Sequence, residues 1–382
     1  MLLIESSRAA GRALLSGIAN YARHHGRWVF FWTAAGLEKA WRGKLSLDVD
    51  GVIMRDMELV EDVLAKGIPA VIVGHSREEI AGTANVVTDS EAIGRIAAKH
   101  LLSCGFRHFA FCGFVDCSWS KTRQVCFTKY IGEEGFETRS LTVRSEATGS
   151  PWRVERSSIA KWLLTLPRPA GLMACNDDLG QEVLEACKLA GLKVPDDIAV
   201  IGADNDEIVC GLADPPMSSV AINFERAGYE AAQALDALMH GGKRGSRRIL
   251  VRASHVEPRR STDIVALDNP HLRRALTFIR DHGTSPISVP EVTRSAGVSR
   301  RTLETLFRGV VGNSVLSEIR RVRTAAIARL LVETEMPVAE IASSLGFEDA
   351  QHIARYFRQT QALSPLAFRK EYGHKHSGLR AQ

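Results

Sequence analysis

The 382-residue sequence lacks the features that would take it out of the ordinary soluble class. No apolar run approaches the roughly 20 residues needed to span a bilayer, which excludes a helical membrane protein and leaves no membrane partner. Met1 to Arg8 contain no basic leader, no long apolar run and no cleavage site, so export is not expected and the cytoplasm is. The seven cysteines all lie between Cys104 and Cys210 and form no CxxC pair. That argues against a disulfide framework or a zinc ribbon and for buried free thiols in a reducing compartment. The histidines, His24-His25 included, have no metal spacing, and no metal site is expected. There is no nucleophile elbow, no P-loop and no GxGxxG, so no cofactor and no catalytic residue is expected.

What is present is uneven. Residues 271–382 hold 17 Lys+Arg against 10 Asp+Glu, whereas residues 1–270 hold 32 against 34. A phosphate-facing domain joined to a near-neutral one fits this asymmetry. The basic part also contains one pattern written twice. Val289–Arg308 and Pro337–Arg358 each give a short amphipathic helix, a Gly turn (Gly297, Gly346), a capping residue (Ser299, Asp349) and a second helix ending Phe-Arg. This is the helix-turn-helix plan, repeated in register 50 residues apart.

With Ser299 and Asp349 as N-caps, Arg301, Glu304 and Thr305 take the same offsets as Gln351, Ala354 and Arg355. These faces, together with Arg300, should enter the major groove, while Leu303, Phe307, Ile353 and Phe357 hold the helices down. Arg301 can pair bidentately with guanine and Gln351 with adenine; Glu304 can accept from cytosine, and Ala354 can touch a thymine methyl. Arg308 and Arg358, at the helix ends, suit phosphate. Between the units, Ser314 to Leu331 reads as one amphipathic helix with Leu316, Ile319, Ile327 and Leu330 buried. It should set the two recognition helices about one turn of DNA, ~34 Å, apart.

Residues 1–260 alternate short apolar runs with helical stretches, the pattern of a parallel α/β domain. Strands are expected at Leu2–Ile4, Val29–Trp32, Gly51–Met54, Ala70–Gly74, Asn85–Thr88 and Phe109–Cys112. A second series follows with strands at Gly171–Cys175 and Ile198–Gly202. A break near Gly113–Asp116 suggests two lobes with a ligand cleft at the carboxyl ends of their strands.

At this point the chain resembles known families. Glu5–Ala19, Ala174–Gly180, Val194–Asp206 and Asp214–Val220 look like the sugar-sensing domain of LacI/GalR-type repressors, a periplasmic-binding-protein-like fold. In those repressors the DNA-binding head comes first, but here residue 1 already enters the first strand, and no head is expected before it. Residues 271–373 resemble the DNA-binding domain of AraC-type regulators, and the combination is similar to the XylR-like xylose-operon activators. The resemblance implies a two-lobed α/β domain over 1–262, a linker over 263–270, an all-α double helix-turn-helix domain over 271–373 and a tail over 374–382. It also implies double-stranded DNA, a small sugar such as xylose, a second copy of the chain and RNA polymerase as partners.

Sugars present hydroxyls and no charge, so their sites use planar bidentate groups and an aromatic face. Position by position, the resemblance implies Asp89, Arg123, Asn176 and Asp204 as effector ligands, with Asp89 from the first lobe and the others from the second. Trp119 would be the stacking platform, and Ser7 and Arg8 would line the opposite wall. Asp89 and Asn176 are also placed to cap helices, and Trp119 to be core. Three departures from the family stand out: Cys126 and Ala362 each replace a usual glycine, and Asp349 replaces the more common serine cap. Two other readings remain, an enzyme with a two-lobed cleft, and a DNA-binding regulator whose α/β part only dimerises or senses a non-sugar metabolite.

Overall fold

The structure, a computed structural model, describes residues 1–25, 28–32, 48–56, 59–74, 79–144, 152–242, 245–263 and 269–373. Most of the expected linker and the whole expected tail lie outside the described residues.

Alternating short strands and helices build two sheets. In chain order come β1 (Leu2–Leu3), α1 (Ala9–His25), β2 (Val52–Arg55), α2 (Val60–Ala65), β3 (Ala70–Val73) and β4 (Ala84–Thr88). Then follow α3 (Ser90–Ser103), β5 (His108–Phe114), α4 (Ser118–Glu133), β6 (Thr138–Val143), α5 (Trp152–Leu163), β7 (Ala170–Ala174), α6 (Asp177–Leu189) and β8 (Ile198–Asp204). The domain closes with α7 (Glu207–Leu212), β9 (Ser218–Ile222), α8 (Phe224–Met239), β10 (Arg247–Val251) and β11 (Ala253–Glu257). One sheet is ordered β1-β2-β3-β4-β10 and the other β11-β9-β8-β7-β5-β6, with β11 antiparallel to β9. The central strands are buried on both faces because helices cover both sides, which is why β3 and β7 read as unbroken apolar runs and β2 as one up to Arg55. The strand expected at Val29–Trp32 is, among the described residues, a single parallel bridge, Trp32 to Leu2.

The lobes do not divide near Gly113–Asp116 as expected. Strand β5 runs through that region inside the second sheet, and the crossing comes earlier, between Thr88 and Asp89. Helix α3 follows a first-lobe strand but buries Ile93, Ala97 and Leu101 in the second-lobe core. The chain returns at Ile222–Asn223, where α8 joins the first-lobe core, and crosses a third time between Val251 and Ala253. Two backbone hydrogen bonds lace the crossings, Asp89 N–H to the Val251 carbonyl (3.0 Å) and Asn223 N–H to the Arg252 carbonyl (2.9 Å).

In the first lobe α1 and α8 cross at backbone contact. A Cβ on Gly17 would sit 1.8 Å from the Glu225 carbonyl oxygen, and one on Gly228 2.1 Å from that of Leu14. Gly228→Ala should therefore push the helices apart and cost about 2 kcal/mol in denaturant unfolding; an unchanged midpoint would mean the crossing yields freely.

The C-terminal domain is helical: α9 (Pro270–Asp281), α10 (Val289–Ala296), α11 (Arg300–Leu306), α12 (Val315–Glu333), α13 (Val338–Ser344), α14 (Ala350–Gln361) and α15 (Pro365–Tyr372). It has two cores. Leu272, Ile279, Val292, Leu303 and Phe307 form the first, and Ile341, Leu345, Ile353, Phe357 and Phe368 the second. Helix α12 serves both, giving Val315 and Ile319 to one and Ile327 and Leu331 to the other. Leu316, expected inside, is 45% exposed. Capping by Ser314 starts the helix at Val315, and the buried stripe is set one residue earlier at that end. Ala362 has φ +57°, the left-handed cap that a glycine would adopt without strain. Helix α4 runs unbroken through Cys126.

Candidate functional site: two recognition helices and an inter-lobe cleft

The repeat seen in the sequence is a repeat in geometry. Gly297 and Gly346 both have positive φ, +69° and +70°, turning each first helix into its recognition helix. Ser299 accepts from the Thr302 amide (3.1 Å) and Asp349 from the His352 amide (2.6 Å), so both recognition helices start on a side-chain cap three residues from its donor. Leu303 and Phe307 in one unit and Ile353 and Phe357 in the other are buried, while Arg301, Thr305 and Arg308 match Gln351, Arg355 and Arg358 in being exposed. Glu304 and Ala354 are half-buried at the flank of each face, and Arg300 is exposed. The Thr305 hydroxyl is bonded to the Arg301 carbonyl (3.0 Å), and one Glu304 oxygen is buried without a protein partner. The two faces differ at the end: Phe307–Val311 widens into a π turn, so Arg308 leaves from a looser coil than Arg358.

The cleft is built at the carboxyl ends of the strands. Arg123, on α4, is 2% exposed. Its guanidinium donates to the Cys175 carbonyl (2.5 Å) and to Asp204 Oδ1 (3.3 Å), and it lies 4.7 Å from the centre of the Trp119 ring. Its Nε is buried with no protein partner, a donor left over for something else. Asp204 ends β8 with φ +112°. Burial pushes its carboxyl up to about 6 against the pull of Arg123. Trp119 is half-buried and meets Phe114 edge to face. Asn176 caps α6 through the Leu179 amide (3.1 Å) and donates to Asp178 (3.3 Å).

Arg123, Asp204, Trp119 and Asn176 are thus brought together. Asp89 is not a first-lobe residue in the sense expected: it stands at the crossing and caps second-lobe helix α3 through the Ala92 amide (3.0 Å). Ser7 is exposed, and Arg8 reaches across the cleft to Asp178 Oδ1 (2.6 Å). A second bridge runs from the Ala9 amide to Asp206 Oδ2 (2.9 Å), so the lobes are held together at the start of α1.

Several residues at the cleft went unread in the sequence. Arg55 at the end of β2 is buried, ion-paired to Glu5 and within 3.4 Å of the Gly74 carbonyl. An arginine directly after an apolar strand was the available signal. Asp177, buried beneath the cleft, accepts from the Asp206 amide (2.8 Å) and the Ser219 hydroxyl (2.6 Å), and burial raises its carboxyl well above the usual range. Among the described residues no group of His, Cys, Asp and Glu is arranged for a metal, and no helix is long and apolar enough to cross a membrane. All seven cysteines are free thiols, and five of them are buried.

A cleft between two mostly parallel sheets, joined to paired recognition helices, defines a class. The chain is a DNA-binding transcription regulator that carries a periplasmic-binding-protein-like sensor ahead of an AraC-type head. A periplasmic binding protein-like domain matches residues 98–262 and a helix-turn-helix domain residues 292–371. Within that class it is similar to xylose-operon regulators over nearly its whole length. It is 29% identical to the xylose operon regulatory protein of Escherichia coli K12 over 96% of each chain, and 28% identical to that of Haemophilus influenzae over 85% of each. Among solved structures it is similar to a xylose-binding transcription activator, with a TM-score of 0.61 and 28% identity over 97% of each chain.

Proposed function

We propose that this sugar-responsive regulator binds a small neutral sugar, xylose first among those to test, between its lobes and thereby sets the orientation of its two recognition helices on DNA. The observation that carries the reading is the Arg123–Asp204 pair under Trp119, with the Arg123 Nε unpartnered. A guanidinium and a carboxylate side by side offer donors and acceptors to adjacent hydroxyls, and the indole offers a face to ring C–H groups. Asn176 would add an amide, Asp89 a carboxylate at the crossing, and Arg8 and Ser7 the mouth. The sugar is bound and released unchanged, because differential affinity for closed lobes is all that switching requires. Xylose comes from the naming of the relatives and the activator role from that of one solved structure; a cytoplasmic homodimer in contact with RNA polymerase is what the resemblance to such activators implies. A thermal-shift screen of pentoses, hexoses and uronic acids tests the effector: xylose or another neutral sugar should raise the melting temperature, and a response to uronic acids alone would contradict the neutral-sugar reading.

On the DNA side, Arg300, Arg301, Glu304, Thr305, Gln351, Ala354 and Arg355 would face bases or the adjoining backbone, and Arg308 and Arg358 phosphates. Arg301→Ala should relax preference at one base pair by ~1–3 kcal/mol in a competition assay across single-base variants. Retention of the full preference would take Arg301 out of the reading set.

A further inference from the structure

The DNA-binding domain is held at two places that lobe motion would separate. From the second lobe, Arg107 donates to the Val310 carbonyl (2.9 Å) at the end of the first recognition helix, and Glu257 on β11 pairs with Arg329 of α12 (3.6 Å). The other attachment is to the crossings themselves. Arg252, between β10 and β11, pairs with Glu371 of α15 (2.7 Å) and lies 5.9 Å from the centre of the Tyr372 ring. Asn223 caps α8 through the Arg226 amide (3.0 Å) with its oxygen and donates from its nitrogen to the Tyr372 carbonyl. Arg226, on first-lobe helix α8, donates to the Lys370 carbonyl and is steadied by Glu230 (2.9 Å).

We propose that Asn223, Arg226 and Arg252 are positioning residues that dock α15 on the inter-lobe hinge only while the lobes are closed. Three features support this. The docked state coexists here with two bridges between the lobes, Arg8–Asp178 and Ala9–Asp206. The Arg252 carbonyl that receives the Asn223 amide belongs to the same residue whose side chain grips Glu371, so hinge geometry and grip are one unit. And α15 contributes Phe368 to the core that seats the second recognition helix, so releasing α15 removes one tie between that unit and the sensor while Arg329–Glu257 on α12 persists. Opening rotates Arg226 on the first lobe away from Arg107 and Glu257 on the second. The α15 contacts then part, and the second unit loses its fixed tilt relative to the first. Coupling is reciprocal: a docked α15 favours closed lobes and therefore tighter sugar binding.

The proposal rests on sugar binding in the cleft, and the test separates the two. Arg252→Glu, Glu371→Arg and the double exchange are compared in the full chain, with D-xylose and a duplex enriched by the wild-type protein from a random pool. Each single reversal should weaken D-xylose binding by about fivefold or more and bring the xylose-dependent change in DNA affinity to within about twofold of none. The double exchange, which restores an ion pair, should return both toward wild type. Single variants with wild-type xylose affinity and an intact DNA response would overturn the clamp and leave the sensor reading standing. If wild-type protein ignores D-xylose, amide exchange without ligand decides instead. The Asn223 and Gly373 amides should exchange faster in both single variants and recover in the double; equal exchange in all four proteins would overturn the clamp.

Discussion

Asp204→Asn is expected to lower sugar affinity by about 100-fold, as the loss of charged hydrogen bonds to two hydroxyls would, while the protein still binds DNA without sugar. The substitution keeps the shape at the end of β8 and removes the carboxylate charge that Arg123 pairs with. It also removes a pH dependence. Burial pushes the Asp204 carboxyl up to about 6, and sugar hydroxyls donate best to its charged form. Binding should therefore weaken as pH falls, by about tenfold between pH 7 and pH 5, where about one carboxyl in ten remains ionised. The stability contribution has the opposite sense. The folded pKa lies above the unfolded value, so the protonated carboxyl stabilises the ligand-free protein below about pH 4, and this is lost as pH rises through about 6. Calorimetric titration at several pH values would show the affinity trend in the wild type and not in Asp204→Asn, and thermal unfolding over the same range would show a shallower pH dependence in the variant, the remainder coming from Asp177. A variant with unchanged affinity would place the sugar elsewhere.

Arg323→Leu is expected to lower the stability of the DNA-binding domain by about 3 kcal/mol, through the loss of two charge-assisted bonds and the buried Leu345 carbonyl left unpaired. Arg323 sits on α12 between the two cores and is 6% exposed. It donates to the Ser285 carbonyl just before the first unit and to the Leu345 carbonyl (2.9 Å) in the second, and stacks 4.5 Å from the centre of Phe347. It is thus the polar bond between halves that share only one helix. Beyond the stability change, the variant should lose its preference for one fixed spacing between half-sites while each half-site is still read. Spacing-scanned duplexes in a gel-shift assay would show a flat profile where the wild type shows a peak. A retained peak would mean that α12 alone fixes the spacing.

How much of this the sequence made legible depended on whether the signal was local. The helix-turn-helix units were readable because caps, Gly turns and a 3.6-residue stripe all lie within some twenty residues, and the structure repeats them down to matching burial. Strand positions were legible from apolar runs, but which sheet a helix joins was not. Helix α3 follows β4 directly yet packs on the other sheet, and nothing in its own period could say so. The same limit hid β9, α8, β10 and β11, which carry the two later crossings. In the cleft, the Arg123–Asp204 pair came from a family pattern, whereas Glu5–Arg55 and Asp177 were missed because each depends on partners distant in sequence. Leu316 was misplaced although the start at Ser314 was read, because Val315 and Leu316 are both apolar and packing against the first core decides that Val315 is the one buried. Arg323 looked like any solvated arginine until its two carbonyl partners, 38 and 22 residues away, were in place.

The most direct measurement is the affinity of the full chain for a duplex it enriches from a random pool, taken without sugar and with saturating D-xylose. A cleft that sets the tilt of the recognition helices predicts a change of about tenfold or more, within the usual range of allosteric coupling, and its loss in Asp204→Asn. If a sugar raised the melting temperature yet left DNA affinity and preferred spacing unchanged, the cleft would be a binding site without control of the head, contradicting this account.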